Sequence, residues 1–239
     1  EIGTVQPISE IAKIIRHAEK HERTQKPYPY FHTDASQAFN YLTIDVQKLG
    51  ADLITFSSGK LYGPKGVGFL FKKRTVSVEP MLFGGGQEQG LRSSTENVPA
   101  ITAASYAVHD AQSLVSKELD RISRLKKILI DGLKKVESSI VIHGYETDEQ
   151  SIPGIISFSI PAVDSDMMVL YLDAQGFAVS SKSACHAEID EISHVLRALY
   201  GDKAIDLGGT VRVSLGKYTK ERDIASFLQA LKDILPKIQ

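Results

Sequence analysis

The 239-residue chain has one cysteine, no excess charge of either sign and no long apolar run. Each shortage removes a class of protein. A lone thiol, Cys185, can close no intramolecular disulfide and build no cysteine-cluster metal site, which fits a reducing compartment and a cytoplasmic protein. With 28 basic against 29 acidic side chains and a formal net charge of -1, the chain lacks the clustered lysines and arginines that give affinity for phosphates. Direct binding of nucleic acid is therefore not expected. Apolar stretches such as Val67 to Phe71 fall far short of the roughly 20 residues that span a bilayer, so no membrane crossing is expected either. The chain opens on Glu1 with no basic stretch leading into an apolar one, which reads as a fragment without a signal peptide.

What is present, 42% hydrophobic residues, suffices to give one large domain or two small ones a core. Ile8, Ile11, Ile14 and Ile15 follow Pro7 at spacings that share one helical face, and a charged tail runs on to Arg23. Three short apolar runs, Tyr30 to Thr33, Leu53 to Ser57 and Gly66 to Phe71, read as buried strands between Gly, Pro and polar turns. The alternation predicts a layered α/β domain. A glycine-dense segment, Gly84 to Gly90, precedes a helical stretch from about Glu96 to Val136, expected to break near Gln112 to Ser116 and to join two domains, 1–112 and 113–239. Beyond it, strands at Ile140 to His143, Ile155 to Ile160, Ala178 to Ser180 and Thr210 to Ser214, with a last helix from Lys220 to Leu235, predict a smaller α+β unit.

Several residues in this pattern could carry chemistry. Asp34 and Gln37 leave an apolar run three positions apart, where a strand end can face a crevice at the carboxyl edge of a sheet; Asp34 could equally cap a helix starting at Ala35. Lys60 ends another strand after Phe56-Ser57-Ser58-Gly59, and a lysine desolvated there can become a Schiff-base nucleophile, although most lysines are simply solvated. The stretch Gly63 to Gly68 has no Gly-Lys-Ser/Thr and is not a triphosphate loop. Arg92-Ser93-Ser94-Thr95 could meet an anion at a helix start or cap that helix.

Cys185 lies in a small, polar segment between Lys182 and His186, both able to favour its thiolate, whereas a free cysteine is ordinarily a buried small hydrophobe. A Cys-His protease is disfavoured, since no Asn or Asp arrangement accompanies His186 and His194. His17 and His21 share a helix face without the Glu of a metal motif, so no metal site is expected. Arg212 interrupts the apolar strand Thr210 to Leu215; it either points inward to bind a carboxylate or faces solvent.

Taken in order and spacing, Asp34-Ala35-Ser36-Gln37, Ser57 to Gly66, Gly84 to Asn97, Ser181 to Cys185 and Val211 to Gly216 resemble the cysteine desulfurases of the NifS/IscS type. These are pyridoxal-phosphate enzymes of the aminotransferase class V group, and the likeness covers essentially the whole chain. The resemblance implies fold type I, with part of a large α/β/α domain and a smaller C-terminal α+β domain, and a homodimer. It implies pyridoxal 5'-phosphate held covalently by Lys60, with Asp34 at the pyridine nitrogen, Gln37 at the ring phenol oxygen, Ser57 at the phosphate and Thr95 reaching the neighbouring subunit's phosphate. Arg212 would hold the carboxylate of L-cysteine. Cys185 would accept its sulfur as a persulfide and pass it to an acceptor such as an iron-sulfur scaffold or a tRNA-thiolation pathway.

The chain departs from that pattern at three places. Glu1-Ile2-Gly3-Thr4 corresponds to the middle of an Asn-Asn-Glu-Ile-Gly-Thr motif, so the preceding phosphate loop, stacking histidine and asparagine are not in this sequence. Gly59 stands where the family usually places histidine, and His186-Ala187-Glu188 with Ile192 replace the residues common after the cysteine. Two other readings follow: a catalytically incompetent piece that keeps dimer and acceptor surfaces, or a sister enzyme such as a selenocysteine lyase or class V aminotransferase.

Overall fold

The computed structural model describes residues 1–21, 29–146, 150–181 and 193–238. It divides the chain into two compact units, one of Gln6–Ser116 and one of Glu1–Val5 with Lys117–Gln239.

In the first unit, α1 (Ile8–His21) starts directly after Pro7, where a missing N–H costs nothing, and carries Glu10 in its first turn, where the helix dipole favours an acid. The sheet has the order β1 (His32–Asp34), β2 (Leu53–Ser57), β3 (Gly68–Lys72), with β1 parallel and β3 antiparallel to β2. Alternation along β2 buries Ile54 and Phe56 on one face and leaves Thr55 and Ser57 partly open on the other. Ala35, Phe39, Ala51 and Leu61 close over the buried face. Phe39 meets Phe56 edge-on with centroids 4.6 Å apart, and Phe56 stacks on Phe69 at 5.1 Å. Between β1 and β2, the short α2 (Val46–Leu49) is capped by Asp45 and stops at Gly50, whose φ of +72° and whose 3.0 Å separation from Ala12 Cβ at the Cβ position both require glycine.

At the opening of β2, Asp52 gathers the unit. Its carboxylate accepts from the Phe31 N–H at 2.8 Å, from Lys73 Nζ at 3.0 Å and from the Arg16 guanidinium, while its backbone pairs with Phe31 and Lys73. Burial works against the charge at Asp52, and these hydrogen bonds outweigh it, so its carboxyl lies below the usual range.

The expected interruption of the long helix is absent: α3 runs unbroken over Val98–Val136 and is shared by both units. The polar residues that suggested a break are otherwise engaged. Gln112 donates to the Phe39 and Leu42 carbonyls at 2.9 and 3.2 Å and accepts from the Ile44 N–H, and Ser113 bonds back to the Asp110 carbonyl.

In the second unit an antiparallel sheet has the order β4 (Val141–His143), β5 (Ile155–Ile160), β6 (Gly209–Ser214). It is accompanied by α4 (Ser165–Ala174), α5 (His194–Tyr200) and α6 (Glu221–Ile238). Both faces of β5 are buried, with Ile156, Phe158 and Ile160 on one and Ser157 and Ser159 on the other. The strand expected at Ala178 to Ser180 reduces to one bridge, between Ser180 and Arg212. Of the two serines on the polar face, Ser159 is satisfied by its neighbours: His143 Nε2 lies 2.7 Å from Ser159 Oγ, which lies 2.5 Å from Thr210 Oγ1, and His143 Nδ1 lies 3.0 Å from the Tyr200 hydroxyl. Burial pushes the His143 imidazole down to about 4, against the opposing pull of the Glu1 carboxylate.

Two stability effects follow. Asp52→Asn should cost about 2 kcal/mol in denaturant unfolding, because Arg16 and Lys73 lose their partner at a buried position. His143 titrates lower folded than unfolded, so its contribution is complete above about pH 6.5 and is lost as pH falls towards 4. The urea midpoint should decline through that window, and a His143→Gln variant should flatten the decline.

Candidate active site

The first unit builds its chemistry at the carboxyl ends of β1 and β2, the edge where parallel strands leave side chains free to face a ligand. Parallel pairing sets Asp34 opposite Thr55, and the Ala35 N–H continues the ladder to the Thr55 carbonyl at 2.9 Å. Ser57 ends β2, and the chain turns at once through a 3-10 segment, Ser58–Lys60. That turn is clamped on both sides of Lys60: Ser58 and Leu61 are buried, and Leu61 joins the aromatic core. The Leu61 and Gly63 N–H groups both bond the Ser58 carbonyl. A Cβ at Gly63 would lie 2.2 Å from Ser58 Oγ, so glycine is what lets the chain fold back here. Asn40 Nδ2 donates to the Lys60 carbonyl at 2.6 Å, joining the turn after β1 to the lysine turn.

Asp34 ends β1 and is exposed. Oδ1 accepts from the Ser36 N–H at 2.8 Å and caps a run of turns rather than the expected helix, while Oδ2 takes no hydrogen bond among the described residues. Gln37 is exposed on those turns. Of the two readings the sequence leaves open for Lys60, desolvated or simply solvated, the structure has the second: Gly59 and Lys60 are exposed between buried Ser58 and Leu61. Among the described residues its ammonium makes no ion pair. The sequence reading missed His32 and Asn40. Period-two alternation would have put His32 on the Asp34 face, where its Nε2 lies 2.8 Å from Thr55 Oγ1; Asn40 carried no local signal.

The glycine segment is folded tightly, with the Gly90 N–H reaching the Gly86 carbonyl at 2.9 Å. Glu88 and Gln89 both take left-handed backbone angles, φ 50° and 59°, a strained conformation for side-chain-bearing residues. Arg92 donates to Ser94 Oγ, and Asn97 Oδ1 accepts from the Ala100 N–H at 3.2 Å, so the start of α3 is capped from within the chain. Thr95 is exposed, and no side-chain hydrogen bond joins it to Asp34, Ser57 or Lys60.

In the second unit, Arg212 is partly buried on β6 rather than facing solvent. Its Nη2 donates to Ser180 Oγ at 3.3 Å, and its Nε is buried without a partner among the described residues. Cys185, Lys182, His186 and Ile192 lie outside the described residues.

The donor set of the first unit fits pyridoxal 5'-phosphate. An unpaired amine suits its aldehyde, a carboxylate with one bare oxygen suits a protonated ring nitrogen, and a strand-end hydroxyl suits its phosphate. None of these residues lines the groove of about 510 Å³ beside α1 and α2, whose walls include Lys13, Arg16, Lys48 and Lys73. Among the described residues no three His, Cys, Asp or Glu side chains are grouped to hold a metal, and no helix is long and apolar enough to cross a membrane.

The family model Aminotransferase class-V matches residues 1–227. Cysteine desulfurase IscS 1 of Archaeoglobus fulgidus is 36% identical over 239 residues, covering 100% of this chain and 59% of the relative. Cysteine desulfurase IscS of Dictyoglomus turgidum is 35% identical, covering 100% of this chain and 58% of the relative. The solved structure of a NifS-like protein superposes with a TM-score of 0.84 at 32% identity, over 100% of this chain and 59% of its own. A NifS-like protein from Rickettsia africae gives 0.81 at 28%, over 99% and 59%. The chain thus spans about three-fifths of the length of the relatives it matches, and it has their fold type I architecture. Across nearly all of its length, the chain belongs to the aminotransferase class-V family.

Proposed function

We propose that this chain is the part of a pyridoxal-phosphate-dependent cysteine desulfurase that carries its lysine, its substrate arginine and its sulfur-accepting cysteine. The observation that carries this reading is an exposed Lys60 on a turn held by buried Ser58 and Leu61 after β2, together with an exposed Asp34, one carboxylate oxygen bare among the described residues, at the same end of the parallel neighbouring strand. Domain roles follow: the Gln6–Ser116 unit holds the cofactor, and the unit containing Lys117–Gln239 carries Arg212 and Cys185.

When bound, the cofactor would supply the electron sink for a carbanion at the substrate Cα. Lys60 would anchor it through its amine and, once released by substrate, take the Cα proton. Asp34 would keep a proton on the ring nitrogen through Oδ2, with Oδ1 fixed by Ser36. Gln37 would meet the phenol oxygen, Ser57 the phosphate, and Thr95 the phosphate of a second subunit. Arg212 would take the carboxylate of L-cysteine by charge-assisted hydrogen bonds. The Cys185 thiolate would then attack the substrate sulfur: the new S–S bond forms as the substrate C–S bond breaks, its electron pair stays with the carbon skeleton, and protonation gives alanine.

A solved relative titled SspA in complex with cysteine, with a TM-score of 0.65 at 28% identity, supports cysteine as substrate. The names of the curated relatives, cysteine desulfurase, support L-cysteine as the sulfur source; the persulfide sulfur would pass on to an acceptor protein such as an iron-sulfur scaffold. Exposed Met81, Leu82, Phe83, Val98 and Ile101 in the first unit support a homodimer, because apolar residues in such number are ordinarily covered by a partner. The single thiol supports a reducing compartment, the cytoplasm.

Purified protein supplied with pyridoxal phosphate should show a visible absorption band that L-cysteine shifts, together with release of alanine. Lys60→Ala should abolish the lysine-linked band. Cys185→Ala should keep the band and lose persulfide labelling; unchanged sulfide release in that variant would assign the protein to a different reaction of the family.

A further inference from the structure

Arg212 sits in a transverse polar row whose other members have no assigned role. On one face of the second sheet, β-pairing sets His143 opposite Ser157 and Ser157 opposite Arg212, and the isolated bridge sets Arg212 opposite Ser180. The two contacts of Arg212 differ in kind. Its N–H and C=O both bond Ser180, at 2.7 and 3.2 Å, so those backbone groups point away from β5. The Ser157–Arg212 pair is therefore the non-hydrogen-bonded type of antiparallel pair, in which side chains approach most closely.

The side-chain inventory is uneven. Arg212 Nη2 is held by Ser180 Oγ at 3.3 Å. Among the described residues Arg212 Nε and Ser157 Oγ are both buried without a partner, and Ser157 is only 1% exposed. A guanidinium N–H and a hydroxyl on adjacent, same-face positions are complementary, and leaving both bare at such a position is costly.

We propose that Ser157 and Ser180 are the positioning residues of Arg212, gripping its Nε and Nη2 from the two flanking segments. Ser157 acts directly or through one bridging water, which would find its polar partners in these two groups. The grip leaves Nη1 and the second Nη2 hydrogen as the free edge of the guanidinium, a planar fork for one carboxylate. The pair of serines thereby sets selectivity for amino-acid substrates that carry an α-carboxylate. This inference rests on Arg212 being the substrate arginine of the proposed desulfurase.

The test uses the pyridoxal-phosphate-loaded protein with L-cysteine as substrate and cysteamine, which lacks the carboxylate, as competitor. Ser157→Ala should raise the KM for L-cysteine about tenfold, with kcat within about twofold and the cysteamine inhibition constant unchanged. Ser180→Ala should act in the same direction, and Ser157→Thr, which keeps the hydroxyl, should recover most of the affinity. A merely structural role would weaken both ligands together, and that result, or an unchanged KM, overturns the proposal. A second readout needs no turnover: the Arg212 Nε–H resonance, identified by its loss in Arg212→Lys, should exchange with water about tenfold faster in Ser157→Ala. Equal exchange in the two proteins overturns the grip whatever the kinetics. An unsubstituted protein that releases no sulfide defeats the desulfurase reading instead, and the exchange measurement still decides the contact.

Discussion

The chemistry of the first unit depends on a carboxylate at the far end of the strand that presents it. Asp52 opens β2 and binds three other segments at once: Phe31 before β1, Lys73 after β3 and Arg16 on α1. Because register is set by such fixed points, and a one-residue slip would turn every side chain to the opposite face, this hub determines that Asp34 and Ser57 emerge together at the carboxyl end. A strand of five residues then separates the charged anchor from the lysine turn by roughly 17 Å. The acid that organises the sheet is thus kept away from the lysine, whose amine it would otherwise pair.

Much of this was legible in the sequence because burial leaves a periodic trace. The runs Leu53 to Ser57 and Ile155 to Ile160 have the bounds their composition predicts, and Pro7 marks the start of α1 to the residue. The strand-end positions of Asp34 and Lys60 were readable for the same reason, since an apolar run that stops abruptly marks where a sheet meets its loops. The parallel pairing of β1 and β2 left no local signal: a segment's own residues say that it is a strand, and only its neighbours say which way they run.

The misread places share a physical cause, which is that polar residues can serve distant partners. Gln112 and the serines beside it look like a helix end, yet Gln112 spends its amide on carbonyls about 70 residues earlier in the chain and α3 continues through. At the lysine turn Ser58 and Leu61 take the core while Gly59 and Lys60 between them are left outside, which neighbouring residues alone do not decide. The segment Ala178 to Ser180 reads as a strand, and only Ser180 finds a ladder partner, on the edge of β6.

Polar groups in the two sheets are either satisfied or spare, and that contrast locates function better than either inventory does. Along the second sheet, His143, Ser159, Thr210 and Tyr200 satisfy one another in a closed chain, which is what a buried polar set needs if it is not to destabilise the fold. A finished network of that kind has no capacity left for a ligand. The groups with capacity to spare are Asp34 Oδ2 and the Lys60 ammonium at the open end of the first sheet, and Arg212 Nε beside Ser157 Oγ within the second. The first two are exposed and cost little while unpaired, whereas the second two are buried, where a bare donor or acceptor is expensive. Groups exposed and unpaired are those a cofactor can reach from solvent; groups buried and unpaired among the described residues, directly opposite each other on neighbouring strands, are where the proposed grip on Arg212 would form.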